Sequence, residues 1–276
     1  MSATDTAAAR TNSSPLRIAL GGLGLAGLGA LGALVALEDI AAPYEAGMMR
    51  TGEALAPPLA PHAFGTDLLG RDIWSETVHG LAVTMADAVG ALPIALAAGT
   101  FAGFLAAHML RYSGPLLRAA ANALIAVPAL FLAVLFAALL GHQNAVVAAG
   151  LAVAPAAFAR SYDRAHSLLA SPHADFARAT GLDRWSLFRR DLIFELRESI
   201  VAVAARALAA VVILLSTLSF FGFGAAPPAR DLGLMIAAAR GALPEAWWTA
   251  GFPLLALALF ILAARLAAGL SEGERA

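Results

Sequence analysis

Residues 81–107 read LAVTMADAVGALPIALAAGTFAGFLAA, a run in which Asp87 is the only ionisable side chain. As a helix rising 1.5 Å per residue it covers roughly 40 Å, more than the ~30 Å hydrocarbon core of a bilayer. Comparable apolar runs occupy 16–37, 116–140, 144–159, 199–221 and 246–270. The fourth of the six is short and interrupted by Pro155. Proline is tolerated in a spanning helix where neighbouring helices re-satisfy the freed carbonyl. No period-two alternation marks a barrel strand. The composition is 60% hydrophobic and 13% charged, with a mean hydropathy of +0.77, far from that of a water-soluble domain of 276 residues. These features predict an all-α, polytopic membrane protein with six transmembrane helices.

The expected organisation follows from the polar gaps. Residues 1–15 read as a disordered cytoplasmic tail and 16–38 as the first transmembrane helix. A cleaved signal is the competing reading of that run, which is long for a signal core. Residues 39–80 read as a periplasmic segment with an amphipathic lead-in helix. Residues 81–270 form the transmembrane domain, and 271–276 a second cytoplasmic tail. With the N-terminus inside, 13 of the 18 arginines fall on the inner side and four on the outer, while Arg206 lies within a span. That bias predicts that both termini lie in the cytoplasm.

Other chemistries are excluded. The chain has no cysteine, so disulfides and thiolate metal sites are ruled out. It has no lysine and no GxxxxGK[ST] loop, so it binds no ATP of its own. Six histidines are present, none paired at i, i+3 or i+4, and no metal site is expected. A net charge of −1 predicts no nucleic-acid partner.

One gap is unlike the others. Residues 161–197 are long and charged, and read either as an interfacial helix on anionic lipid or as a docking element. Within it, Asp175-Phe176-Ala177-Arg178-Ala179-Thr180-Gly181 suggests a short helix ending at a glycine. Ala174, Ala177 and Ala179 permit close approach, and Gly181 permits a bend at positive φ. Asp175 suits the positive end of the helix dipole and Arg178 lies one turn on. An amphipathic piece, 185–193, follows.

Four segments in order resemble the second permease of the dipeptide, oligopeptide and nickel importers, which are driven by ATP-binding-cassette subunits. Gly65-Thr66-Asp67-Leu68-Leu69-Gly70-Arg71-Asp72 is similar to that family's GTDxLGRD motif, and residues 175–181 resemble its EAA loop. Leu218-Ser219-Phe220-Phe221-Gly222-Phe223-Gly224 resembles LSFLGLG. Pro227-Pro228, Gly233-Leu234-Met235, Trp247-Trp248 and Phe252-Pro253 follow its PPxPxWGxM…W…FP pattern. The departures are Asp175 for Glu, Phe176 for Ala, Ile193-Phe194-Glu195 for LPN, Ser216 for a frequent glutamate, Glu76 for an arginine, and a degenerate C-terminal motif.

The resemblance implies a type I importer permease of the bacterial inner membrane that is not itself an enzyme. Its partners would be a second homologous permease, one or two ATP-binding subunits using ATP and Mg, an extracytoplasmic solute-binding protein and the bilayer. Asp175, Ala177, Arg178, Ala179 and Gly181 would couple to the ATPase. Gly65, Thr66, Asp67, Gly70, Arg71 and Asp72 would be structural, with Thr66 or Asp67 capping the lead-in helix. Intramembrane ionisable residues mark functional routes, so Asp87, with Ser216, Thr217 and Ser219, is a candidate for the translocation pathway. Small polar residues on the fifth span also serve helix packing. Peptide is the expected cargo, with nickel or a metal–chelator complex as the alternative. An ion-coupled secondary transporter is the competing class, but midplane charges and internal repeats are not evident.

Overall fold

The computed structural model describes residues 14–110, 112–141, 144–224 and 230–269. Arg111, His142, the Pro227-Pro228 pair, residues 1–13 of the first tail and the whole of the second lie outside these residues, as do the side chains of Arg178, Phe194 and Glu195. The described residues form helices and loops, with two isolated bridges, Leu59 with His62 and Thr66 with Asp72, in the loop before the second span.

Helix α1 is Ser14–Ala36. The second span is one unit from Ile73 to Met109. It comprises α2 (Ile73–Ala95), a π-helical segment (Leu96–Phe101) and α3 (Ala102–Met109). The lead-in helix expected before residue 81 is thus the first two turns of the span. Pro93, which has no N–H to donate, precedes the π segment, where wider turns replace α-helical bonding. The third run divides into α4 (Gly114–Ile125) and α5 (Ala129–Leu140), bent by 98°. Pro128 disfavours the helical region for Val127, which explains the break at that point.

Helix α6 runs Ala145–Leu169, ten residues beyond the expected end. Helix α7 is Pro172–Ala179, and α8 is an uninterrupted Arg184–Phe220. The polar gap of 161–197 therefore contracts to 170–183. The reason lies in the sequence: no glycine or proline occurs between 156 and 171 or between 182 and 221, so nothing stops either helix. Helix α9 (Leu232–Ala238) continues into a 3-10 turn, Ala239–Gly241, and α10 is Trp248–Ala268. Among the described residues five helices are long and apolar enough to cross a membrane, or six if the bent α4–α5 pair is one span.

Lipid supplies no hydrophobic drive between helices, so contact depends on small residues that admit close packing. Ala88, Ala91 and Ala95 of α2, Ala133 and Ala137 of α5, and Ala148 and Ala149 of α6 are fully buried in the central cluster with Val211, Leu218 and Phe260. A β-carbon on Gly99 would stand 2.5 Å from that of Ala157, and one on Gly24 2.2 Å from the Ala267 nitrogen.

These pairings fix directions. Gly24 and Gly27 of α1 meet Ala267 and Ala263 of α10, so the two helices are antiparallel. Gly90 meets Val146 and Gly103 meets Phe158, so α2–α3 and α6 are parallel. His108 of α3 meets Asp191 near the start of α8. The start of α1, the ends of α3, α6 and α10, and helix α7 accordingly share one side. The loop 42–72, α9 and the start of α10 occupy the other.

Candidate functional site

On the first side, α7 stands between the ends of α6 and α8. Ser171 opens it, its Oγ accepting from the Ala174 N–H at 3.3 Å while donating to the Leu168 carbonyl. The far end is a Schellman closure: the Leu182 N–H reaches the Ala177 carbonyl at 3.1 Å, and Gly181 takes φ +87°. Thr180 Oγ1 donates to the same carbonyl. Asp183 then caps α8, accepting from the Trp185 N–H, and hydrogen bonds, first from Ser186, hold its carboxyl below the usual range.

Ala174 and Ala177 are buried, whereas Asp175, Ala179 and Gly181 are exposed and Phe176 is 70% exposed. The helix therefore turns its alanine face to the bundle and presents Asp175 and Phe176 outward.

The opposite side carries a dense polar cap in which Thr66, Asp67, Arg71 and Asp72 are tied by hydrogen bonds. Asp67 accepts from the Leu69 and Arg71 N–H groups and from Arg71 Nε at 2.8 Å. Thr66 Oγ1 donates to the Glu53 carbonyl and accepts from the Ala56 N–H, while the Thr66 carbonyl accepts from Trp248 Nε1. Asp72, not Thr66 or Asp67, caps the helix, its Oδ2 accepting from Ser75 N and Oγ. The helix begins at Ile73, and Asp67 is already committed to its own turn. Gly70 has φ +70°, and a β-carbon there would lie 1.8 Å from the Arg50 carbonyl oxygen.

Three participants in this cap were not legible beforehand. His62, 4% exposed, donates from Nδ1 to Asp72 at 2.8 Å and from Nε2 to Glu53 at 2.9 Å. Burial opposes its charge, but the two carboxylates outweigh burial and raise the imidazole above its usual range. Glu76, also buried, accepts from the Gly47 N–H and lies 3.3 Å from Arg230, which approaches Asp67 at 3.7 Å. Burial and the neighbouring Arg71 depress the Arg230 guanidinium, and Glu76 and Asp67 act against them.

Within the span region, Ser219 Oγ donates to Asp231 at 2.6 Å, and Asp231 caps α9 by accepting from the Leu234 N–H. The Leu232 N–H donates to Thr84 Oγ1. Thr217 Oγ1 donates to the Ile213 carbonyl of its own helix. Ser216 is buried and packs its backbone against Gly233. Asp87 is half-buried within electrostatic reach of Asp231, and Arg206 lies beside Arg160. The structure thus brings Ser219 into the α8–α9 corner and leaves Asp87 at its margin. Asp231 had a sequence signal, an aspartate directly before a short apolar helix.

A bundle of five or six spans, with a capped helix protruding on one side and a polar cap on the other, has a counterpart among known proteins. Residues 99–272 match the family described as binding-protein-dependent transport system inner membrane component. The chain belongs to this family. The di/tripeptide transport system permease protein of Pseudomonas aeruginosa is 29% identical over 82% of the chain and 77% of its own length. The glutathione transport system permease protein of Pectobacterium atrosepticum is 31% identical over 79% and 72%. The probable D,D-dipeptide transport system permease protein of Escherichia coli is 26% identical over 74% and 70%. The chain is therefore a multi-pass inner-membrane permease subunit of an ATP-binding-cassette importer, of the peptide type and not an enzyme.

Proposed function

We propose that this permease pairs with a second, homologous one around a pathway for small peptides. An extracytoplasmic binding protein delivers the cargo to the face carrying the polar cap. One or two cytoplasmic ATP-binding subunits, using ATP and Mg, seat on α7 and drive alternation between outward and inward access. The observation that carries this reading is α7 itself: an eight-residue helix closed at both ends, backed by Ala174 and Ala177, with Asp175 and Phe176 presented to a partner. Peptide cargo is supported by the relatives, which are named for peptide and glutathione transport, and the cytoplasmic placing of α7 by the arginines on its side of the bundle.

The test is affinity purification of the tagged chain in mild detergent, with mass spectrometry of what accompanies it. A second permease and an ATP-binding subunit are expected. The ATP-binding subunit should be lost when Gly181→Ala is combined with Arg178→Glu. A chain that purifies alone and still transports would overturn the proposal in favour of secondary transport.

A further inference from the structure

Among the described side chains, helix α8 meets the second span at a buried polar point set within apolar contacts. His108, 2% exposed at the end of α3, lies with Nε2 3.2 Å from Asp191 Oδ2 and Nδ1 3.0 Å from the Phe104 carbonyl. The two residues are 83 positions apart and Asp191 is buried. Arg190 also reaches Asp191 Oδ1, at 3.2 Å. Phe188, one turn before Asp191, packs edge-on against both His108 and Phe101 and shares a cluster with Phe104 and Ala165. Alongside lies a cavity of about 300 Å³ lined by His108, Tyr162, His166, Arg184 and Leu187.

Two further features give this point a mechanical meaning. Above His108 the span is weakened by Pro93 and the π segment Leu96–Phe101, a place where a helix bends. Helix α8 has no such weak point over its 37 residues and begins five residues after the end of α7. A push on α7 therefore travels along a stiff rod, and α3 can swing about the π segment if something holds it to that rod.

We infer that the His108–Asp191 hydrogen bond is that hold: His108 and Asp191 are positioning residues that transmit displacement of α7 to the second span. The inference rests on the reading of α7 as the ATPase docking helix. A hydrogen bond is directional and keeps the register between two sliding helices, which apolar contact with Phe188 alone does not.

The chain lacks cysteine, so a single Leu110→Cys, just beyond α3, reports on that end of the span. Its reaction rate with a maleimide is measured in the purified full complex, with and without ATP and vanadate, next to ATP hydrolysis. The expected result is at least a threefold change of rate on trapping in the parent. With His108→Ala or Asp191→Ala the change falls below 1.5-fold while hydrolysis stays within twofold, and the double variant is no worse than either. Asp191→Asn, which keeps an acceptor opposite His108, restores the response. A parent with no response, alanine variants that respond like the parent, or Asp191→Asn as deficient as Asp191→Ala each overturns the joint. If an alanine variant does not assemble, His108→Leu, which fills the space without a donor, replaces it under the same criteria. A parent chain that recruits no ATP-binding subunit fails the docking reading instead, a result seen before any cysteine is labelled.

Discussion

At His62, both ring nitrogens face carboxylates, so Asp72 on one side and Glu53 on the other favour the doubly protonated imidazole. Its folded pKa lies above the ordinary 6.5. The stabilisation is therefore fully present below about 6.5 and is lost as pH rises through the raised folded value. Replacing His62 with Gln should lower the thermal midpoint at pH 6, by the equivalent of about 1.5–3 kcal/mol for a hydrogen bond to a charged group. The gap between parent and variant should narrow toward pH 9. Melting curves in detergent at both pH values decide it, and an unchanged gap would remove His62 as the titrating group. Two glycines at positive φ give a contrasting pair. Gly70→Ala adds a clash with the Arg50 carbonyl to backbone strain and should abolish folded yield, whereas Gly181 has nothing within 4 Å and Gly181→Ala incurs only the strain, ~1–2 kcal/mol. Size-exclusion profiles compare the two. The motif glycines were legible because positive φ leaves a mark on sequence. His62 was not, because its partners lie nine and ten residues away and meet it only after the cap has folded.

Helix ends were the least legible elements, and for an identifiable reason. Apolar runs delimit the part of a helix that lipid can solvate, whereas helices end only where a stop residue or cap appears. Thus α6 and α8 extend through charged sequence to Leu169 and from Arg184, and α8 buries Leu187, Phe188 and Asp191 within its polar part. The bend at Pro128 had its signal in the chain, but the apolar run around it reads as unbroken by composition alone. The candidate pathway serines show the same limit, since a small polar residue on a span reads equally as lining or as packing. Ser219 donates to the buried Asp231 that caps α9, a contact inside the bundle. Ser219→Ala should therefore cost about 1.5–3 kcal/mol in thermal stability and leave recovery of an ATP-binding subunit intact. Phe176→Glu, on the exposed face of α7, should do the reverse: an unchanged melt with recovery reduced several-fold. If both variants changed the same observable, the separation of an α8–α9 structural corner from an α7 docking surface would be wrong.

For the whole molecule, the number and character of the spans could be read from apolar runs, because a bilayer imposes one length and one composition on every segment that crosses it. Which ends share a side required the packing: Gly24 against Ala267, Gly103 against Phe158 and His108 against Asp191 place the start of α1 with α7, opposite the polar cap. Arg118, Arg160, Arg164, Arg184, Arg189 and Arg190 all belong to the α7 side, whereas the cap and the α9 region hold Arg50, Arg71, Arg230 and Arg240. Three of those four are engaged at close range by carboxylates of the same region, Arg50 by Glu53, Arg71 by Asp67 and Arg230 by Glu76. On the α7 side Arg118 and Arg190 are also paired, with Asp163 and Asp191, so it is the arginine count that favours the α7 side as the inner one. A cysteine-free chain allows a direct test with single replacements at two exposed positions, Leu59→Cys in the cap loop and Phe176→Cys in α7. In intact cells whose outer membrane has been made leaky, a membrane-impermeant maleimide should label position 59 and leave position 176 untouched until the inner membrane is opened. The opposite pattern would put α7 outside the cell, beyond reach of any cytoplasmic ATPase. Labelling of both positions in sealed cells would mean that the chain does not hold one orientation, and the packing that places α1 and α7 on a common side would then have to exist in two inverted populations.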